Sequence, residues 1–440
     1  MIVLLRNFKN IFVVPDLRAK VLFTFAVLAV YRLGVHIPLP GLNTVVLNNL
    51  GGVGMAGGGL LSYLDLFTGG ALKHFAVFAL GMVPYINASI MMQVLSVAIP
   101  QLEILTKEGN YGRYLINQYT RYLAFGLSLL QGFGIAMWIE SYADLVLNPG
   151  WGFRVATMLT LSVGSLFVMW LGEQINSYGI GNGSSMVIFA GIVANLPAAV
   201  LKIIGDVQLG QSDPLMIVAF AAFVILTVMC VVFLEKGERR IPVHYARKVV
   251  GNRVYGGQTS YIPLKLNSAS VIPVIFSGSI MSMIAVLVNW GVVRKYAIFE
   301  FLGEQLAWTA PLNWMLTALL IVFFAYIYTA IIFNPVELAE NIRKSGGFIP
   351  GLRPGRKTAE FFDYIINRVC LPGAMYLATL AILPRIIAMQ GTFPLMFEGT
   401  SMLIVVGVAL DASAQIESFL IERRYEGFLS VGRLKARVGR

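Results

Sequence analysis

Lysine and arginine are the side chains of this sequence best placed to act on another molecule, and two stretches concentrate them. The first runs Lys236-Gly-Glu-Arg239-Arg240-Ile-Pro-Val-His-Tyr245-Ala-Arg247-Lys248 and on to Arg253-Val-Tyr255. The second runs from Arg343-Lys344-Ser-Gly346-Gly347 through Arg353-Pro354-Gly355-Arg356-Lys357. Guanidinium groups interleaved with aromatics and turned outward by Gly and Pro suit recognition of phosphate or carboxylate. Topology signals touching lipid are the plainer reading, but loops this long and patterned favour a docking site for a large anionic partner. Covalent chemistry is not expected. His36, His74 and His244 form no pair at helical spacing, which excludes bis-histidine haem ligation. No G-x-x-x-x-G-K-[ST], Ser/His/Asp set or HExxH occurs. Cys230 and Cys370 sit in apolar runs with no neighbour at metal or redox spacing and read as small buried residues. Neither catalysis, a metal nor a cofactor is expected.

The elements that carry these loops must be membrane helices. Of 440 residues, 57% are hydrophobic and 12% charged, about half the charge of a soluble domain, roughly 25%. Ten apolar runs are long enough to cross about 30 Å of hydrocarbon. They fall near 17–37, 74–99, 119–139, 154–174, 183–203, 214–234, 267–291, 312–333, 370–389 and 400–420. Arg18 and Lys20 before the first run resemble a signal peptide's basic start. That run is too long, however, and His36-Ile37-Pro38 stands where a cleavage site would be, so it reads as a retained span. Twenty-six of the 33 Lys and Arg fall at the N-terminus, in the 2–3, 6–7 and 8–9 loops, and in the tail. Six fall on the other side, and Arg32 lies within the first span. This bias puts both termini in the cytoplasm. Five spans per half make two halves of one fold inverted relative to each other, with the functional site at the midplane.

The spans hold few ionisable groups. Arg32 and Glu173 lie near span ends, where snorkelling or an interfacial position explains them; Asp411 lies inside the last span with no evident role. Between the first two spans, Gly51–Gly59 and Gly69-Gly70 flank a short segment with Leu60, Leu61, Leu64 and Phe67 on one helical face. An interfacial amphipathic helix is one reading; a hinged half-helix folding back into a protein cavity is the other. In the second span Ser89, Gln93 and Ser96 form a polar stripe, which faces other helices or water. The seventh span is rich in small polar residues, including Ser277 and Ser282. Ile241/Val243/Tyr245 alternation suggests a β-hairpin in the 6–7 loop.

Longer strings carry a resemblance. Tyr31-Arg32-Leu-Gly34 with Ile37-Pro-Leu-Pro40-Gly41, Ala79-Leu-Gly81-Met-Val-Pro84-Tyr85-Ile86, and Gln118-Tyr-Thr-Arg121-Tyr122 are three of them. Others are Met169-Trp-Leu-Gly-Glu173-Gln174 with Gly179-Ile-Gly-Asn-Gly183, Arg239-Arg240-Ile, Asn334-Pro335, and Lys344-Ser-Gly through Arg353-Pro-Gly355. In this order they resemble the SecY family, the channel subunits of the bacterial Sec protein translocase. The resemblance runs nearly end to end. It implies an all-α polytopic membrane protein with ten transmembrane helices, arranged as two inverted five-helix halves around a central hourglass pore. It also implies a short plug half-helix at about 57–70 and a gate opening sideways to lipid.

Carried over position by position, the resemblance puts a pore ring at Met82, Ile86, Ser184, Ile188, Ile275 and Ile404, with Ser184 standing where the family commonly has an apolar residue. The lateral gate falls on Asn87 and Gln131, joined by the polar residues Gln93, Ser277 and Ser282. Plug contacts fall on Leu60, Leu61, Leu64 and Phe67. Arg353 matches the arginine most closely tied to coupling with partners. Arg239, Arg240, Arg247, Lys248, Arg253, Arg343, Lys344, Arg356 and Lys357 complete the docking surface. The implied partners are SecE-like and SecG-like small membrane subunits, the SecA motor ATPase, the ribosome, signal sequences and preproteins, and anionic lipid. The implied location is the bacterial cytoplasmic (inner) membrane. The expected organisation is a cytoplasmic segment 1–16, an N-terminal half 17–203, an external loop 204–213, a C-terminal half 214–420 with basic loops 236–266 and 334–369, and a basic tail 421–440. A secondary transporter for a small solute is the alternative. It requires a mid-span charge cluster, and Asp411 is the single candidate.

Overall fold

The computed structural model describes residues 14–43, 65, 68–140, 145–209, 215–245, 248–250, 253–255, 259–267, 271–288, 301–303, 305–306, 310–389 and 399–438. A helix overlaps each of the ten apolar runs. They are α1 (Pro15–Gly34), α2 (Val83–Ala98), α4 (Asn110–Glu140), α5 (Trp151–Tyr178), α6 (Gly183–Gln208), α7 (Leu215–Lys236), α8 (Ile272–Val288), α9 (Pro311–Ile332), α11 (Arg356–Met389) and α12 (Gly399–Val438). Shorter α3 (Pro100–Lys107) and α10 (Pro335–Lys344) lie in loops. Among the described residues, five helices are long and apolar enough to cross a membrane, and the bent pair α2–α3 makes a sixth. Two compact units divide the chain: 1–201 with 404–440, and 202–403.

In the first unit, the second apolar run becomes helical only at Val83, not at 74. Residues 74–82 are turns in which Val77 donates its amide to the Ile37 carbonyl and Leu39 donates to the Phe75 carbonyl, both at 2.9 Å. Phe75 (φ +43°) and Gly81 (φ +52°) both have left-handed backbone, which interrupts a helix, and Pro84 then opens α2. The helix ends with a 105° bend into α3. There Pro100 has no amide to donate and holds Ile99 extended. The core gathers Val27, Tyr31, Phe78, Met82, Val168, Met169, Ile175 and Val187, with Ile86 and Met186 packed on it.

Helices α5 and α6 meet through glycine. A Cβ on Gly183 would stand 1.8 Å from the Gly172 carbonyl oxygen, and one on Gly172 would stand 2.8 Å from Cε of Met82. Close backbone approach of this kind is how helices associate where lipid removes the hydrophobic drive. Gly183→Val is expected to abolish the folded state, because the obstacle is backbone and overpacking there costs about 3 kcal/mol or more. Normal accumulation and a monodisperse elution profile in detergent would contradict this. The middle of α12 packs on α1, where Leu17, Ile180, Ile416, Phe419 and Leu420 cluster and Gly181 donates its amide to Gln415 Oε1 at 2.8 Å.

The second unit adds a sheet that the all-helical expectation contains only as a hairpin. Strand β1 (Glu238–Tyr245) pairs antiparallel with β4 (Thr259–Lys265), with Ile241 opposite Ile262. Strands β2 (Lys248–Val250) and β3 (Arg253–Tyr255) form a second small ribbon. On its other edge, β1 takes the two-residue β5 (Gly347–Phe348), His244 opposite Phe348. Pro242 and Pro263 are tolerated because β4 is an edge strand and β5 reaches only His244 and Tyr245. Beneath the sheet Ile241, Val243 and Leu264 pack with Ile342 of α10 and with Ile349, Phe362 and Ile365. Asn334 starts α10 by accepting the amides of Val336 (3.2 Å) and Glu337 (3.4 Å), and Pro335 needs no partner.

Candidate functional site

Five of the six expected ring positions lie in the first unit, four of them on or beside α2 and α6. Met82 is buried immediately before α2 and Ile86 packs on the same core one turn on. Ile188 is fully buried in α6, where its neighbour Val187 joins that core. Ser184 bonds locally: its hydroxyl donates to Asn182 Oδ1 at 2.7 Å, and the same oxygen accepts the Ser184 amide at 3.1 Å. The serine is thus part of the capped start of α6, with its polar group internally satisfied. Ile404 is fully buried in the α12 portion of this unit, and Ile275 is buried in α8 of the other. Nothing in this set bears a charge.

Among the residues expected at the gate, Asn87 is buried on α2 and Gln131 half-buried on α4, two helices that pack together. The polar stripe of α2 bonds along its own helix. Gln93 Nε2 donates to Ser89 Oγ at 3.2 Å, and Ser96 Oγ donates to the Gln93 carbonyl at 2.7 Å. In the second unit, Ser277 is buried and donates to the Val274 carbonyl at 2.9 Å; Ser282 is placed in α8 by its backbone. Leu60, Leu61, Leu64 and Phe67 lie outside the described residues, as does Arg247.

Both basic loops converge on one platform, since β1–β5 pairing ties 236–266 to 334–369. Arg239 and Arg240 are exposed on β1, and Lys248 and Arg253 are placed by their backbones on β2 and β3. Four of the exposed cations already face carboxylates. Arg240 pairs with Glu238 at 2.6 Å, Arg343 and Lys344 with Glu340 at 3.6 and 3.9 Å, and Arg356 with Glu360 at 3.1 Å. Arg353 and Lys357 are exposed, and among the described residues neither has an ion pair. The backbone around Arg353 is held independently of its side chain. Leu352 donates its amide to the Ile349 carbonyl at 3.1 Å, Thr358 Oγ1 donates to the Arg353 carbonyl at 3.0 Å, and Gly351 and Gly355 take φ of +82° and +110°.

Two span-end charges have firmer roles than snorkelling. Glu173 accepts both forks of the Arg121 guanidinium at 2.9 Å, joining α5 to α4. Arg32 donates to the carbonyl of Gly69 in the α1–α2 connection. Asp411 lies on an exposed face of α12.

Comparison with known proteins decides the family. A family model described as SecY matches residues 76–413. The chain belongs to the SecY family. Protein translocase subunit SecY of Aquifex aeolicus is 42% identical over 427 residues, covering 96% of this chain and 98% of that protein. Its counterpart in Thermus thermophilus is 42% identical over 440 residues, covering 99% and 100%. Solved structures share the SecY-type fold at lower identity. One of a protein-conducting channel has a TM-score of 0.65 at 17% identity, over 91% of this chain and 92% of that one. A second, in which the plug domain of the SecY protein stabilises the closed state and maintains a membrane seal, gives the same values. Sec61 in a canine ribosome–channel complex from the endoplasmic reticulum gives 0.62 at 16% identity, over 91% and 92%. The chain is therefore a mostly helical, polytopic membrane protein with the fold of these channels.

Proposed function

We propose that the chain is the protein-conducting subunit of a Sec-type translocase, passing unfolded polypeptides across a membrane and releasing apolar segments sideways into lipid. The observation that carries this is the match to translocase subunits over 96–99% of the chain. It favours this reading over solute transport. The uncharged character of Met82, Ile86, Ile188, Ile275 and Ile404 agrees with it. Aliphatic side chains at a constriction gate by dewetting, which refuses ions yet yields to an extended chain. Lateral release needs no covalent step, because burial of each CH₂ in lipid contributes about 0.8 kcal/mol.

In this reading ten spans form two inverted halves, 17–203 and 214–420, and 57–70 is the plug. Asn87, Gln93, Gln131, Ser277 and Ser282 belong to the gate. Both termini are cytoplasmic, the membrane is the bacterial inner one, and small SecE-like and SecG-like subunits accompany the channel. The platform of β1, β4, β5 and α10 docks a SecA-like motor ATPase and the ribosome, the latter in keeping with the ribosome-bound Sec61 structure. A chain without a nucleotide site needs such a partner or the membrane potential to supply the drive.

Copurification tests the docking surface. Motor ATPase or ribosomes are expected to accompany the detergent-extracted protein at low salt. Recovery should fall steeply between 0.05 and 0.5 M salt, where the screening length shortens from roughly 14 Å to about 4 Å. Salt-insensitive recovery would remove the electrostatic role assigned to the basic loops.

A further inference from the structure

A polar cluster joins the end of α1 to the connection that precedes α2. The Tyr31 hydroxyl donates to the carbonyl of Thr68 at 3.0 Å, and Arg32 Nη1 donates to the carbonyl of Gly69. Asp65 closes the same turn on itself. Its Oδ1 accepts the Lys73 amide at 3.0 Å, its Oδ2 lies 3.2 Å from Lys73 Nζ, and its carbonyl accepts the Gly70 amide at 3.1 Å. Tyr31, Asp65 and Thr68 are each 1% exposed. Gly69 (φ +68°) is wedged against α6, where a Cβ on it would meet the Gly191 Cα at 2.7 Å. Gly191 lies one turn beyond Ile188.

Arg32 is half-buried at the end of α1; an ionisable group in a membrane span marks a role, and here its partner is named. The acceptors are main-chain carbonyls at a turn of two left-handed glycines, Gly69 and Gly70, where no helix or strand supplies donors. Bonds of this kind ignore the side chains of the segment they hold. They fix the backbone at Thr68 and Gly69.

We propose that Tyr31 and Arg32 are positioning residues for the seal: they fix the C-terminal foot of the plug by its carbonyls, beside α6 and one turn from Ile188. The inference rests on the plug reading of 57–70 and assigns that segment an anchor.

The test is the ion leak of vesicles reconstituted with the full chain and its copurifying subunits, without preprotein. Arg32→Gln is expected to raise the resting leak roughly tenfold or more, since a charge-assisted bond is lost, and Tyr31→Phe roughly threefold to tenfold. Arg32→Lys, which restores a cationic donor, is expected to recover much of the closure. A purely structural role would lower the thermal midpoint without separating Lys from Gln in the leak. Deleting 60–67 is the reference and should leak on its own. If the deletion leaks while folded Arg32→Gln and Tyr31→Phe stay as tight as wild type, the anchor is wrong and the plug stands. If the deletion stays tight, the plug reading fails and the anchor with it. Should Arg32→Gln not fold, Tyr31→Phe decides alone, because its ring remains stacked on Phe78 at 6.2 Å.

Discussion

Arg353→Glu is expected to stop export of a secretory preprotein into vesicles, lowering its rate roughly a hundredfold or more, while the protein stays folded. The two halves of this expectation come from different parts of the same turn. The fold is safe because Ile349, Gly351, Gly355 and Thr358 shape the turn through their backbones and the Thr358 hydroxyl, and the Arg353 side chain is exposed. Exposed substitutions of this sort shift stability by about 0.5 kcal/mol or less. Coupling is vulnerable because Arg343, Lys344 and Arg356 already face Glu340 or Glu360 at 3.1–3.9 Å, which lowers their effective charge toward a partner. Arg353 is held out at the tip without such compensation among the described residues. Reversing a charge that meets an anionic surface costs about 2–5 kcal/mol, and each 1.4 kcal/mol is tenfold. The measurement is protease-protected preprotein per unit time, alongside the thermal midpoint. Reversing Arg356, whose charge Glu360 already offsets, should cost far less. Equal losses from both, or none from Arg353, would leave the turn without its assigned role.

The sequence made the apolar helices legible because a twenty-residue hydrophobic run needs no tertiary context to be recognised. It misplaced the start of α2 by nine residues. Ala79 and Leu80 are as apolar as any helical pair, and only the left-handed backbone of Phe75 and Gly81 breaks the run. The hairpin showed through the Ile241/Val243/Tyr245 alternation. Its third strand did not, since Gly347–Phe348 is too short to have a period and exists only because β1 offers an edge. Arg32 was legible as an unusual charge but not as a ligand of Gly69, since a main-chain carbonyl leaves no mark on sequence. The Gly69-Gly70 pair was the available signal. In the same way, Gly172 and Gly183 are eleven residues apart and look ordinary until α5 and α6 pack.

Paired substitution of Ile86 and Ile188 by serine is expected to make resting vesicles leak small ions at least tenfold faster, with preprotein export still possible. Ile86 packs on the apolar set around Met82 and Val187, Ile188 is buried beside Val187 on α6, and neither position carries a backbone constraint that serine would violate. In the proposed ring, two hydroxyls would supply the partners that water needs to remain there. A wetted constriction passes ions that a dry one refuses. Loss of the buried Ile188 side chain also costs stability, about 2–5 kcal/mol, and loss of the half-buried Ile86 adds to it, so the leak must be read on protein shown to be folded. Ser184 is the internal control. Its hydroxyl is already engaged by Asn182 at 2.7 Å, so it adds little polarity to the proposed ring. Ser184→Ala should therefore leave the leak within about twofold of wild type while loosening the start of α6 by about 1 kcal/mol or less. A tight Ile86→Ser/Ile188→Ser protein, or a Ser184→Ala protein that seals markedly better than wild type, would move the barrier to ions away from these residues. The first result would place the seal elsewhere along the passage; the second would mean that the hydroxyl reaches water despite its bond to Asn182.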